Sequence, residues 1–333
     1  MINIGVIGYG YWGPKIVRNF YGLSECKIVA VCDKNPEALQ HVIATYSDIK
    51  CTHDTQDIFR SKAIDAVAIA TPVSTHYELA RQCLDNGKHV FVEKPFTATL
   101  AQAEDLIQRA DKKHLTLMVD HTFLFTGAVR KMKELIDQKT LGTLHYYDSV
   151  RINLGLFQRD VNVVWDLAPH DLSIMDYLIE TPPEAVVAIG ASHVNGLEDM
   201  AYITIYFPNN TIAHIHVNWL SPVKVRTTLI GGEHKMLLWN DLEADEKVKV
   251  YDKGVSVTTK QGVYDLLVSY RSGDMWVPKV EQTEALRVEA TYFIDCIVHN
   301  KKPVNDGEAG WRIVQLLAAA DRSLKKRGKI IRL

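Results

Sequence analysis

No stretch of this sequence approaches the roughly eighteen apolar residues that a membrane-spanning helix requires. Nor does it open on a basic region followed by a cleavage site; the apolar pattern Ile2-Asn3-Ile4-Gly5-Val6-Ile7 comes first. The chain is therefore expected to act away from the membrane, in the cytoplasm. Cysteine is sparse and scattered: Cys26, Cys32, Cys51, Cys83 and Cys296 contain no Cys-x-x-Cys pair. That excludes a disulfide framework and a cysteine zinc site and leaves reduced thiols. Neither sign of charge is in excess. A net charge of -2 gives no electrostatic case for nucleic acid or an anionic membrane. The basic run Lys325-Lys326-Arg327 ends a helical pattern, where cations meet the helix's negative pole. Internal repeats and low-complexity tracts are absent. His214 and His216 share one face of a strand, but no third ligand stands at metal spacing, so no metal is expected.

A chain of 333 residues exceeds what one hydrophobic core usually serves, so two domains are expected. In the first, strand and helix patterns alternate. Apolar runs at 2–7, 27–31, 65–70, 89–92 and 116–119 are separated by helical patterns at 14–21, 36–46, 77–86 and 100–113. Such alternation predicts an α/β domain with a doubly wound parallel sheet, whose ligand crevice lies along the carboxyl ends of the strands. The first strand runs directly into Gly8-Tyr9-Gly10-Tyr11-Trp12-Gly13 and then a helix beginning at Pro14. In a dinucleotide site the first glycine makes a tight turn, the second admits a pyrophosphate, and the third lets helix and strand pack closely. The helix N-terminus then favours the anion. Asp33 follows the second strand, 20 positions after Gly13, where a carboxylate would bond the ribose hydroxyls. Its charge disfavours a 2′-phosphate and points to NAD; the neighbouring Lys34 keeps NADP as the alternative.

The strand Phe91-Val92 delivers Glu93, Lys94 and Pro95 to the same edge as Thr71-Pro72. Proline restricts the residue before it, so the lysine is presented from a stiff backbone. After Asp120-His121 the pattern changes. A helix at 127–138 precedes strand-like segments at 143–153, 185–193, 200–207, 212–219 and 225–230, with a hairpin turn at Pro208-Asn209-Asn210. The stretch 240–278 is weakly patterned and reads as loops or edge strands. Helical patterns at 282–299 and 308–326 close the chain, with Gly328 as a cap. The expectation is a Rossmann domain over residues 1–121. An α+β domain over 122–333 follows, with an open, predominantly antiparallel sheet and a last helix that packs back on the first domain.

Within that second part stands Trp165-Asp166-Leu167-Ala168-Pro169-His170-Asp171. If Asp166 starts a helix, Pro169 is tolerated in its first turn. Asp166 is then either a helix cap or, one turn from His170, the group that orients an imidazole base. Arg151, Asn153, Arg159 and Asn162 lead into this run, and with Trp165 they are candidates for a substrate wall. Tyr146, Tyr147 and Trp219 read as packing residues.

The combination of an N-terminal Gly-x-Gly-x-x-Gly, Thr71-Pro72-x-x-x-His76, Glu93-Lys94-Pro95 and Asp166-x-x-x-His170 resembles the glucose–fructose oxidoreductase/inositol dehydrogenase (Gfo/Idh/MocA) family. The resemblance implies an NAD(P)-linked dehydrogenase acting on a hydroxyl of a sugar, polyol or sugar nucleotide. It also implies a dimer or tetramer associating through the second domain's sheet. By motif, Lys94, Asp166 and His170 match the catalytic residues. Gly8, Tyr9, Gly10, Tyr11, Trp12, Gly13, Asp33, Lys34, Thr71, Pro72, His76, Glu93 and Lys94 match the cofactor site. Val163-Val164-Trp165 stands where the family often has glycines, and His121 where it often has glycine or asparagine. The Tyr11-Trp12-Gly13-Pro14 start and the 162–170 run are most similar to members acting on nucleotide sugars, with C3 of a UDP-hexose as the expected target. A free-polyol dehydrogenase and a non-catalytic NAD-sensing regulator are the competing readings. Either His170 or Lys94 can take the hydroxyl proton, the other steadying the oxygen.

Overall fold

A computed structural model describes residues 1–155, 157, 160–259 and 266–333, with 255–259 and 266–270 described by backbone alone. The chain divides into two compact units: Met1–Phe125 with Thr283–Gln315, and Thr126–Gln282 with Leu316–Leu333. The first unit thus extends past residue 121 to Phe125 and recovers a segment from near the C-terminus. All five cysteines are free thiols, and among the described residues no helix is long and apolar enough to cross a membrane.

In the first unit, β1 (Ile2–Ile7), β2 (Cys26–Cys32), β3 (Lys50–Thr52), β4 (Ala66–Ile69), β5 (His89–Glu93) and β6 (Leu117–Asp120) form one sheet. Its order is β3-β2-β1-β4-β5-β6 and every pairing is parallel. This is the doubly wound arrangement, with the direction of winding reversing between β1 and β4, where such sheets bind ligands. Helices α1 (Gly13–Tyr21), α2 (Pro36–Thr45), α3 (Thr55–Phe59), α4 (Val73–Asp85) and α5 (Leu100–Lys113) make the crossovers. The central strands are near-continuous apolar runs because both faces are covered. The short pair β3 and α3 carries too little apolar periodicity to stand out in the sequence. Helix α4 begins at Val73, earlier than its apolar pattern suggests, because Pro72 supplies an extended N-cap; residues 73–76 are helix rather than exit loop.

The unit is completed by α8 (Ala285–His299), whose Phe293 packs edge-on against Phe20 and Phe91, with ring centroids 6.2 and 5.5 Å away.

The second unit opens with α6 (Gly127–Asp137), then β7 (Leu144–Leu154) and α7 (Val163–Leu178). Strands β8 (Ala185–Ala191), β9 (Met200–Tyr206), β10 (Ile212–Asn218), β11 (Leu220–Gly232), β12 (Met236–Asn240) and β13 (Val248–Tyr251) follow. After the hairpin of β14 (Gly254–Thr259) and β15 (Leu266–Arg271) come β16 (Met275–Trp276) and, at the C-terminus, β17 (Ile331–Arg332). The main sheet runs β16-β13-β12-β11-β7-β10-β9-β8-β17, antiparallel except where β10 joins β7. The weakly patterned stretch 240–278 thus contributes an edge of this sheet and a separate hairpin. Asn209 and Asn210 both adopt left-handed φ (63° and 62°), as asparagine tolerates, and turn β9 into β10. The helix α9 (Gly307–Lys325) ends at Gly328, whose φ of 84° and N–H bond to Ser323 O make the expected cap.

Candidate active site

The glycine loop after β1 tests directly whether a dinucleotide fits. Gly8 has φ +96°, and a Cβ there would meet Ala70 O at 2.4 Å. A Cβ on Gly13 would meet Gly8 O at 2.3 Å. A Cβ on Gly10, by contrast, would have nothing within 4 Å, so the loop keeps open space where a pyrophosphate would approach. At the end of β2, Asp33 Oδ2 accepts from Tyr9 N–H (2.5 Å) and Oδ1 from Asn35 N–H (2.8 Å). These bonds lock the carboxylate beside the loop and leave its second lone pairs for ribose hydroxyls. Lys34 is exposed next to it. Lys15 stacks its ammonium over the rings of Tyr11 and Trp12, 4.2 and 4.0 Å from the centroids.

Farther along the edge, Thr71 and Pro72 lead from β4 into α4. His76, in the first turn of α4, is fully buried. Its Nε2 lies 2.7 Å from Thr71 O and its Nδ1 2.9 Å from Pro95 O. The imidazole thus sits between the β4 exit and the Glu93-Lys94-Pro95 corner, and whichever ring nitrogen carries the proton donates to its carbonyl. Burial holds its pKa below the ordinary histidine value. Glu93 ends β5, Lys94 follows half-buried, and the Lys94–Pro95 peptide is cis. His121, just beyond β6, is buried, and neither ring nitrogen meets a partner among the described residues. Burial together with the Lys94 charge pushes its pKa down to about 3.

In the second unit, α7 is not capped by Asp166. Asn162 is the cap, its side chain accepting from Trp165 N–H (3.2 Å), and the helix proper begins at Val163. Pro169 consequently sits inside the helix rather than in its first turn, where it removes a backbone donor. Asp166, not needed as the cap, accepts from the indole of the fully buried Trp219 (3.1 Å). Asp166 and His170 lie one turn apart and both are part-exposed.

The substrate-wall candidates separate. Arg151 is 3% exposed and donates to Asp171 through Nε (2.6 Å) and Nη2 (3.1 Å). Asn162 also donates to Glu198 and Asp321, and Trp165 Nε1 donates to Asp321 (2.9 Å). Arg151, Asn162 and Trp165 are thus committed to internal partners that hold α7 in place. Asn153, half-exposed at the end of β7, carries no such bond among the described residues. Arg159 lies outside the described residues. Sequence patterning alone overlooks Asp171. The alternation Tyr147-x-Ser149-x-Arg151 is its signal, since Tyr147, Ser149 and Arg151 all bond it. Tyr202 stacks on His216 and His214, at 4.3 and 6.0 Å. Among the described residues no three ligating side chains gather as a metal site.

Residues 2–121 match the model of an oxidoreductase family with an NAD-binding Rossmann fold, and residues 129–237 match the Gfo/Idh/MocA C-terminal domain. The chain belongs to the Gfo/Idh/MocA family. Its relatives include the UDP-N-acetylglucosamine 3-dehydrogenase of Acidithiobacillus ferrooxidans, 28% identical over 96% of this chain and 95% of that one. The solved structure of that enzyme superposes with a TM-score of 0.82 at 24% identity, covering 98% of each chain. An uncharacterized oxidoreductase of Escherichia coli, YdgJ, is 30% identical over 74% of this chain and 73% of its own. The scyllo-inositol dehydrogenase of Lactobacillus casei, solved with NAD(H) and scyllo-inositol, shares the fold (TM-score 0.81, 19% identity, 100% and 99% coverage). As a Gfo/Idh/MocA protein the chain is an NAD(P)-dependent oxidoreductase acting on a CH–OH group.

Proposed function

We propose that this dehydrogenase oxidises a sugar-nucleotide hydroxyl, at C3 of a UDP-linked hexose, with Lys94, Asp166 and His170 carrying the chemistry. The observation that carries the catalytic reading is the position of Lys94. It follows the last residue of β5, on the sheet edge shared with the glycine loop and Asp33. The substrate class rests on the full-length likeness to the UDP-N-acetylglucosamine 3-dehydrogenase. NAD, when bound by the Gly8–Gly13 loop and Asp33, supplies the carbon that accepts hydride. Asp166, itself steadied by Trp219, orients His170. His170 takes the hydroxyl proton while Lys94 hydrogen-bonds the oxygen and favours its developing negative charge. Asn153 is the remaining candidate for sugar contact.

The same reading makes the protein cytoplasmic and a homo-oligomer. Support for self-association comes from the sheet face turned away from α7. There Ile189 (54% exposed), Tyr206 and Ile212 stand beside half-buried Val150, Leu229 and Leu238. Interleaved with Asp148, His214 and His216 on the same face, these apolar side chains suit a second copy.

Lys94→Ala and His170→Ala should each lose most of kcat, about a hundredfold or more, while NAD titrations stay near wild type. Near-wild-type turnover by either variant would remove that residue from the mechanism. Turnover of free polyols but not UDP-sugars would replace the substrate class. Tight NAD binding without reduction by any sugar would point to a regulator.

A further inference from the structure

Three carboxyl groups meet at the carboxyl ends of β5 and β6. Glu93, Asp120 and Glu289 are 9%, 2% and 0% exposed. Glu93 and Asp120 are register partners on adjacent parallel strands, and Glu289, buried on α8, is tied through Asn305 to Val119, the residue before Asp120. The donors around them are neutral. Trp12 Nε1 donates to Asp120 Oδ2 (3.0 Å), and the Thr122 hydroxyl to Asp120 Oδ1. Asn305 Nδ2 donates to Glu289 Oε1 (2.9 Å) and to Val119 O (2.7 Å). Glu289 Oε2 is buried and meets no N–H or O–H donor among the described residues. Lys94 acts as a cation on Glu93, and the imidazoles of His121, held uncharged by burial, and His76 stand near Lys94.

Three buried carboxylates balanced by one ammonium would leave two uncompensated negative charges, which a low-dielectric interior does not tolerate. As register partners, Glu93 and Asp120 project from the same face of adjacent strands. Two carboxyl groups bond each other only when one carries a proton. We propose that Glu93, Asp120 and Glu289 form a proton-holding cluster. In it Glu93 and Glu289 are carboxylic acids at neutral pH and Asp120 is the single carboxylate, so that the cluster presents one negative charge to Lys94. Glu289 is then a positioning residue: its donated proton anchors the Asp120 charge. The same charge holds Trp12 of the glycine loop. Burial and the neighbouring Asp120 charge both push the Glu93 and Glu289 acidities in this direction. The consequence for Lys94 rests on its proposed catalytic role; the protonation of the cluster does not.

Infrared spectroscopy of the cofactor-free and NAD-bound protein near neutral pH tests the cluster without reference to turnover. Wild type should show carboxylic-acid carbonyl absorption, and Glu289→Gln and Glu93→Gln should each remove one component while leaving a cooperative thermal transition. No such absorption, or absorption untouched by both changes, overturns the proposal. The pH profile of kcat tests the charge seen by Lys94. Glu289→Gln should leave the alkaline limb, where Lys94 loses its proton, in place, since one neutral donor replaces another. Asp120→Asn should move it down by about one to three pH units. If Glu289→Gln moves the limb as Asp120→Asn does, Glu289 carries charge and the proposal fails. A flat profile in every variant together with the expected infrared bands would instead refute the role of Lys94 and keep the cluster.

Discussion

Gly10 and Gly13 are the same residue type three positions apart, and the structure asks different things of them. A side chain on Gly13 collides with Gly8 O, whereas one on Gly10 enters open space. Gly10→Ala should therefore leave the unfolding free energy within about 0.5 kcal/mol of wild type. By filling the approach of the pyrophosphate it should weaken NAD at least about tenfold, near 1.4 kcal/mol. Calorimetric titration alongside denaturant melts checks both; unchanged affinity would show that the loop does not meet the pyrophosphate. These glycines, Asp33 and Lys94 are legible in the sequence because a fixed motif follows a strand. The internal partners of Arg151, Asn162 and Trp165 are not, because a polar residue near a reactive run looks the same in sequence whatever it bonds. Glu289 has a signal of its own: it stands on the buried face of α8 between Leu286, Ala290 and Phe293.

At the scale of elements, α7 depends on a buried ion pair. Asp171 accepts from Arg151 and Ser149 of β7 with both charged side chains nearly inaccessible. This pair fixes the helix that carries Asp166 and His170 even though Pro169 interrupts its backbone bonding. Arg151→Met strands the Asp171 carboxylate without its partner and should cost about 3–5 kcal/mol in denaturant unfolding. Adding Asp171→Leu should recover much of that loss. A single-variant loss under about 1 kcal/mol would mean the pair does little for α7. Apart from the short β3 and α3, the strands and helices of the first sheet follow from period and length. Where helix starts depart from the sequence pattern, at α4 and α7, the cause is capping: Pro72 and Asn162 admit a helix before its apolar periodicity becomes visible.

For the molecule as a whole, the sheet orders follow from alternation versus succession of strands. The division of the chain does not, since the return of α8 to the first unit depends on contacts such as Phe20–Phe293 between residues far apart in sequence. Stability on the acid side also belongs to this scale. His121 has a folded pKa of about 3 against an ordinary 6.5. The unfolded chain thus binds its proton first, and stability falls as pH drops from about 6.5 toward 3. The slope nears 1.4 kcal/mol per pH unit once well below about 6.5. Denaturant unfolding between about pH 7.5 and 4.5 should show this loss, and His121→Leu should flatten it by about one proton. An equal slope in the variant would mean that His121 is not held neutral by the fold. The central claim is hydride removal from C3 of a UDP-linked hexose. Mixing the enzyme and NAD with UDP-N-acetylglucosamine deuterated at C3 tests it most directly: mass spectrometry of the reduced cofactor should find the deuterium on the nicotinamide. Reduced cofactor that carries none, or no reduction at all, would contradict the account.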